Sequence, residues 1–213
     1  MSGTNPNGPD PSGGGAGEPV VISGGSGFIG CNLAESFLRD GHDVVVFDNL
    51  SRPGVSQNLN WLKAEFGERV HPVIADIRDL EAIRPVIAKA RAVFHLAAQT
   101  AVTTSLDDPL GDFAVNAEGT LNVLEAVRAS GRKIPVIFAS TNKVYGALGD
   151  LEMVELEDRY VPSSAEVRER GISEDRRLDF CTPYGCSKGV ADQYVLDYAK
   201  SFGISTAVLR MSC

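Results

Sequence analysis

The chain has 213 residues, 43% of them hydrophobic, and a formal net charge of -8. That size and apolar content suit a globular α/β or α+β protein of one domain or slightly more. The acidic balance excludes a function built on neutralising nucleic-acid phosphates, and no apolar run approaches the ~20 residues that a bilayer-crossing helix needs. Neither nucleic acid nor a membrane is therefore an expected partner.

Residues 1–18 are rich in Gly, Pro, Ser and Asn. They lack the apolar stretch of a signal peptide and the Arg-rich pattern of a transit peptide, so a flexible tail and a cytoplasmic protein are expected. The four cysteines, Cys31, Cys181, Cys186 and Cys213, are widely spaced. With no CxxC pair and no His cluster, they are expected to be reduced thiols, with no metal and no disulfide.

From Pro19 onward short apolar runs alternate with helical patterns, which is the rhythm of a parallel sheet with crossover helices. Val20-Val21-Ile22 predicts a strand, the segment from Phe28 to Asp40 a helix, and Asp43 to Phe47 a second strand. In the helix, Ile29, Leu33 and Phe37 fall at i, i+4 and i+8 and are expected to face the sheet, with Gly41 as the stop. Further strands are predicted at 70–75, 92–96, 134–139 and 205–211, with helices in the intervals. The stretch 146–181 breaks the rhythm: it is charged, mixed in sign and weakly periodic. It reads as a long loop excursion, which either serves a site or is a solvated insertion.

Directly after the first strand comes Gly24-Gly25-Ser26-Gly27-Phe28-Ile29-Gly30, a GxxGxxG spacing that opens into the amphipathic helix. In a dinucleotide turn the first glycine allows the tight bend, the second lets backbone N–H groups approach the pyrophosphate, and the third permits close packing of helix on strand. Phosphate then sits at the helix N-terminus. Phe28 and Ile29 belong to the same turn and are expected beside the cofactor. Asp48 closes the second strand about twenty residues on, where a carboxylate accepts from the adenosine ribose hydroxyls and repels a 2′-phosphate. NAD is thus expected over NADP, with Asn49 and Ser51 at the same end. Arg52 either softens that preference or is an exposed loop cation. Asp76 and Ile77, after the third strand, either cradle the adenine or, through Asp76 or Asp79, cap the next helix. Leu96-Ala97-Ala98-Gln99 ends the fourth strand in mostly small residues that let backbone approach the cofactor. His95 reads as a packed strand residue.

Tyr184 and Lys188 are four apart and share one face of a helix. Thr182 and Pro183 fit its cap and first position, which sets the tyrosine in the first turn. A phenol with a pKa of about 10 needs a neighbouring cation and the positive helix end to exchange a proton near neutrality. Lys188 is expected to supply that charge and to hold the nicotinamide ribose. Thr141, at the end of the fifth strand, offers a hydroxyl that could align the reacting sugar oxygen.

The strings GGSGFIG, FDNLS, HLAAQ, VYG and YGCSK, in that order over Pro19 to Cys213, resemble the extended short-chain dehydrogenase/reductases that act on nucleotide sugars. Within them FDNLSRPGVSQNLNWL, STNKVYG and PYGCSKGVADQYVLDYA are most similar to the CDP-paratose/CDP-tyvelose 2-epimerase group. The resemblance implies a Rossmann-type doubly wound parallel sheet in residues 19–213, with the C-terminal substrate domain of the relatives missing. It also implies bound NAD and transient hydride transfer from a CDP-linked deoxyhexose, giving a keto sugar that is re-reduced on its other face. Tyr184 would be base and then acid, Lys188 its tuner and Thr141 the hydroxyl partner. Asn116, in NAEGT, matches the asparagine that orders the site. Val102, Thr103, Thr104, Ser105 and Asn142 match the sugar side. Asn142-Lys143 stand where sugar 4,6-dehydratases need an Asp-Glu pair, which disfavours dehydration. Relatives pair through the helix carrying YxxxK and the one after the fourth strand, which implies a homodimer or higher homo-oligomer. A 4-epimerase, or a non-catalytic NAD-binding module, is the alternative.

Overall fold

The computed structural model describes residues 17–212. The expected tail falls almost wholly on residues 1–16, which lie outside the described residues, as does Cys213. Six parallel strands form one sheet in the order β3-β2-β1-β4-β5-β8. These are β1 (Val20–Ser23), β2 (Val44–Asp48), β3 (Val70–Ile74), β4 (Ala92–His95), β5 (Val136–Thr141) and β8 (Thr206–Met211). The order reverses between β1 and β4, so a crevice opens beyond their carboxyl ends, where Rossmann folds take their ligands.

Helices cover both faces. Val20, Ile22, Val44 and Val46 pack on one side with Ala34 and Leu38 of α1 (Phe28–Arg39) and Leu59 and Leu62 of α2 (Val55–Phe66). Val21, Val45, Phe47 and Val93 pack on the other with Ile83 and Ile87 of α3 (Leu80–Ile87) and Val123 and Val127 of α6 (Gly119–Ala129). Burial on both faces explains why β1 and β2 read as unbroken valine-rich runs rather than alternating ones. Pro72 is tolerated within β3 because that strand is the sheet edge. Leu124, Phe138, Ala191, Val195 and Tyr198 seat α8 (Thr182–Phe202) against α6 and β5.

α1 corrects the expected face. The buried residues are Gly30, Cys31, Ala34 and Leu38, while Leu33 and Phe37 only flank the core and Ile29 is half-exposed. The cause is the closeness of the glycine turn: a Cβ at Gly30 would overlap the carbonyl oxygen of Gly24, so the smallest residues of the helix must face inward there. Gly41, with φ of 88°, ends the helix as expected.

Between β4 and α6 run α4 (Val102–Asp107), α5 (Pro109–Phe113) and one wide π-turn at Ala114–Glu118. The excursion 146–181 is not structureless. It folds an antiparallel hairpin of β6 (Met153–Glu155) and β7 (Tyr160–Pro162), followed by α7 (Ala165–Arg170). Its root is tied down by the Asp179 N–H, which donates to the Val144 carbonyl at 3.0 Å, and by the Phe180 ring packed where Gly189 of α8 lacks a side chain. No helix among the described residues is long and apolar enough to cross a membrane.

Leu38 has no exposure and bridges α1 to the β1–β2 face. Leu38→Ala is expected to cost about 2–5 kcal/mol, read as a lower urea midpoint at unchanged m-value.

Candidate functional site

A cleft of about 890 Å³ opens at the reversal of strand order, within the size range of small-molecule and cofactor sites. Its floor is the glycine turn. Gly24 sits at φ of 70°, and an added Cβ there would stand 2.7 Å from the Ala97 backbone nitrogen, so only glycine lets β1 and the end of β4 meet this closely. Gly27 flanks α1 in an extended conformation and no side chain caps the helix. The first N–H groups of α1 are left to a ligand's anionic oxygens.

Asp48 lines the cleft, its carboxylate already oriented by the N–H groups of Ser26 at 3.0 Å and Leu50 at 2.9 Å. A carboxylate has about four acceptor positions, so hydroxyl donors can still be received. The competition over Asp76 is resolved by its neighbour. Asp79 caps α3, accepting from Glu81 and Ala82 N–H at 3.0 and 3.1 Å, while Asp76 stays on the cleft wall. The guanidinium of Arg78, at 2.8 Å, holds the Asp76 carboxyl well below the usual carboxylate range despite partial burial. Arg52 also faces the cleft, donating to the Thr100 hydroxyl at 2.7 Å.

Tyr184 and Lys188 line the opposite wall, 9% and 3% exposed. The helix begins one residue earlier than expected, with Cys181 flanking it. Thr182 nevertheless does the work of a cap: its φ of 65° is not helical and its hydroxyl accepts from Gly185 N–H at 3.3 Å. The Lys188 ammonium donates to the Ala139 carbonyl at 2.6 Å and stands 4.1 Å from the Phe138 ring centroid. Burial brings it down to about 7, against the pull of Asp192 and then Asp112, which favour its charge.

Of the expected residues, the glycines, Phe28, Ile29, Asp48, Asn49, Ser51, Arg52, Asp76, Ile77, the Leu96–Gln99 run, Thr104, Tyr184 and Lys188 share the cleft. Val102, Thr103, Ser105, Asn116, Thr141 and Asn142 are not on its wall. The Thr141 hydroxyl accepts from Lys143 N–H at 3.2 Å, and Ser140, which sequence reasoning missed, lines the cleft beside it. No residue of 146–181 reaches that wall. Asn116 acts from behind, where its side chain exchanges bonds with the Gln99 backbone at 2.9 and 3.1 Å and donates to the Ser187 hydroxyl at 3.0 Å. The π-turn aims it inward, a frequent use of that irregularity.

His95 is buried in a polar chain. The Thr120 hydroxyl donates to the Asn116 carbonyl at 2.6 Å, so its oxygen accepts from His95 Nε2 at 2.9 Å, which leaves Nδ1 to accept the Ser23 hydroxyl at 2.6 Å. Burial, and after it the charge of Lys188, lowers this imidazole to about 3. It is a neutral structural residue, as its place in the strand implied.

An open α/β sheet with a glycine turn, an acidic second-strand end and a Tyr–Lys pair in one crevice defines a class of dinucleotide-binding folds. The chain belongs to the NAD dependent epimerase/dehydratase family, whose model matches residues 20–213. It is 48% identical over 196 residues to CDP-paratose 2-epimerase of Salmonella typhi, covering 91% of this chain and 56% of that protein. A putative UDP-glucose 4-epimerase of Methanocaldococcus jannaschii is 33% identical, covering 91% and 55%. Among solved structures, UDP-glucose 4-epimerase of Thermus thermophilus in complex with NAD superposes with a TM-score of 0.70 at 32% identity, covering 90% of this chain and 54% of that one. The chain spans about half the length of the curated relatives it matches.

Because His95 titrates far below an unfolded histidine at about 6.5, the unfolded chain binds the extra proton between these values. Stability therefore rises with pH in that window and the contribution is lost toward pH 3. The unfolding free energy from urea titrations between about pH 5 and 6.5 should rise with a slope of up to ~1.4 kcal/mol per pH unit from this group, and His95→Gln should flatten that slope.

Proposed function

We propose that residues 19–213 form the dinucleotide-binding part of an NAD-dependent nucleotide-sugar epimerase, acting at C2 of a CDP-linked deoxyhexose of the paratose/tyvelose kind. One juxtaposition carries the proposal: Tyr184 and Lys188 stand in the same cleft as the glycine turn and Asp48. The 48% identity to CDP-paratose 2-epimerase supports the CDP-sugar assignment over a 4-epimerase, whose matches are 41% identical in Mycolicibacterium smegmatis and 33% in Methanocaldococcus jannaschii.

The cleft fits NAD on its own chemistry. The side-chain-free approach at Gly24, the uncapped start of α1 and the carboxylate of Asp48 suit a pyrophosphate beside a ribose with free hydroxyls. Asp76 and Ile77 suit an adenine edge and face, and Leu96–Gln99 the middle of the molecule. When bound, NAD supplies the hydride acceptor and donor. Tyr184 takes the proton of the sugar hydroxyl and returns it, and Lys188 lowers the cost of the phenolate and holds the nicotinamide ribose. Thr141 orients the hydroxyl that reacts only once its own hydroxyl turns from the strand-end turn that engages it toward the cleft, whose wall it does not line. Half-buried to exposed Leu110, Phe113 and Tyr194 on α5 and α8 support a homodimer or higher homo-oligomer through those helices. Unpaired Cys181 and Cys186 are compatible with a cytoplasmic setting.

The chain is expected to bind NAD in preference to NADP by calorimetry, with Asp48→Asn narrowing the difference. CDP-paratose conversion is assayed with the chain alone and joined to the C-terminal part of CDP-paratose 2-epimerase, beside a panel of UDP-, dTDP- and GDP-hexoses. Tyr184→Phe should keep NAD binding and lose turnover about 10²-fold or more. NAD binding by both versions with no turnover of any nucleotide sugar would reduce the protein to a binding module.

A further inference from the structure

Lys188 has two buried carboxylates around it, Asp112 at 1% exposure and Asp192 at 0%. Neither is on the cleft wall. Asp192 lies one turn beyond Lys188 on α8 and receives Arg210 Nε and Nη2, both at 2.9 Å, and the Ser140 hydroxyl at 2.7 Å. That guanidinium is fixed in turn by donating to the Tyr145 hydroxyl at 2.9 Å and by lying 5.2 Å from its ring centroid. Asp192 is thus closed into an ion pair of its own. Asp112, on α5, is bonded only to neutral groups among the contacts described: the Gln99 amide at 2.9 Å, the Asn116 amide at 3.2 Å and the hydroxyl of Ser187. Ser187 directly precedes Lys188.

Buried charges persist when each is answered by an opposite one. Taken alone Asp192 favours the Lys188 charge more than Asp112 does, but Arg210 answers it bond for bond and the pair is neutral as a unit, which leaves Lys188 and Asp112 as the remaining opposite charges. We propose that Asp112 is a positioning residue whose negative charge keeps Lys188 an ammonium in its buried seat, while Arg210 withdraws Asp192 from that task. It rests on Lys188 being the charge that tunes Tyr184. The groups acting on Lys188 are Asp112 from α5, Asp192 on α8, neutral His95 from β4 and, beyond Asp192, Arg210 from β8, while Tyr184 shares the cleft wall with it. Gln99, on the cleft wall, is held by the same Asp112 carboxylate, so the counter-charge and the cofactor-facing end of β4 are placed by one group.

The test follows Lys188 by NMR in the chain carrying carbon-13 at lysine Cε and aspartate Cγ, the Lys188 signal being assigned by its loss in Lys188→Met. Asp112→Asn is expected to lower the Lys188 midpoint by about one pH unit or more. The double variant Asp192→Asn/Arg210→Met, which removes the other pair as a neutral unit, should move it less than half as far. In the unmutated protein the Asp112 Cγ signal, assigned by its loss in Asp112→Glu, should carry an inflection at the Lys188 midpoint. That measurement stands even where Asp112→Asn does not fold. An unmoved midpoint in Asp112→Asn, an equal drop in the double variant, or an inflection at Asp192 and none at Asp112 overturns the assignment. NAD affinity is measured on the same samples. Absence of NAD binding by the unmutated chain would count against the cofactor site and leave the charge pairing standing.

Discussion

The docking of α8 on the end of β5 fixes everything else at the cleft. Lys188 reaches the Ala139 carbonyl at 2.6 Å and lies over the Phe138 ring, while Ala191 and Val195 press the same helix face into the core. A helix held both by an ammonium and by apolar packing has little freedom to roll, so Tyr184, one turn earlier, is confined to the cleft wall. Gly24 imposes the matching constraint from the far side, because β1 and β4 approach there more closely than any side chain would allow. One wall is therefore positioned by an ammonium and side-chain packing and the other by backbone contact, and the chemical groups inherit that precision.

Much of this was legible in the sequence because it is local. The βαβ rhythm, the glycine turn, Asp48 at a strand end and the Tyr–Lys pair on one helix face are each written within a few residues or one regular period. The errors also have local causes. In α1 the i, i+4, i+8 pattern of Ile29, Leu33 and Phe37 is real, but the steric demand at Gly30 turns the inward face by one residue, to Gly30, Ala34 and Leu38. β6 and β7 span three residues each, too few for an alternation to register.

What sequence could not reveal is the network behind the wall. Asp112 and Ser187 are 75 positions apart, and Asn116 and Ser187 are 71 apart. Each of these residues alone is an ordinary polar side chain on a helix. Only the tertiary crossing of α5 and α8, with the π-turn redirecting Asn116, makes them one cluster. Ser140 was missed beside Thr141 for a related reason: it lines the cleft while its hydroxyl is turned away to Asp192, and the hydroxyl of Thr141 is engaged with the following turn, neither of which a strand pattern records.

The cluster also shows where the fold gives up stability for the site. His95 near 3 and Lys188 near 7 are both groups whose burial disfavours their charged forms, so each makes folding less favourable at a pH where the unfolded chain would be protonated. The histidine resolves the conflict by staying neutral within a fully bonded chain from Ser23 to Asn116. In the role proposed for it, lysine cannot do so and still lower the cost of a phenolate. Its charge has to be retained, which is why carboxylates that touch neither cleft nor solvent lie around it, and why the valine-rich faces of β1 and β2 must supply the stability that this corner of the molecule withholds.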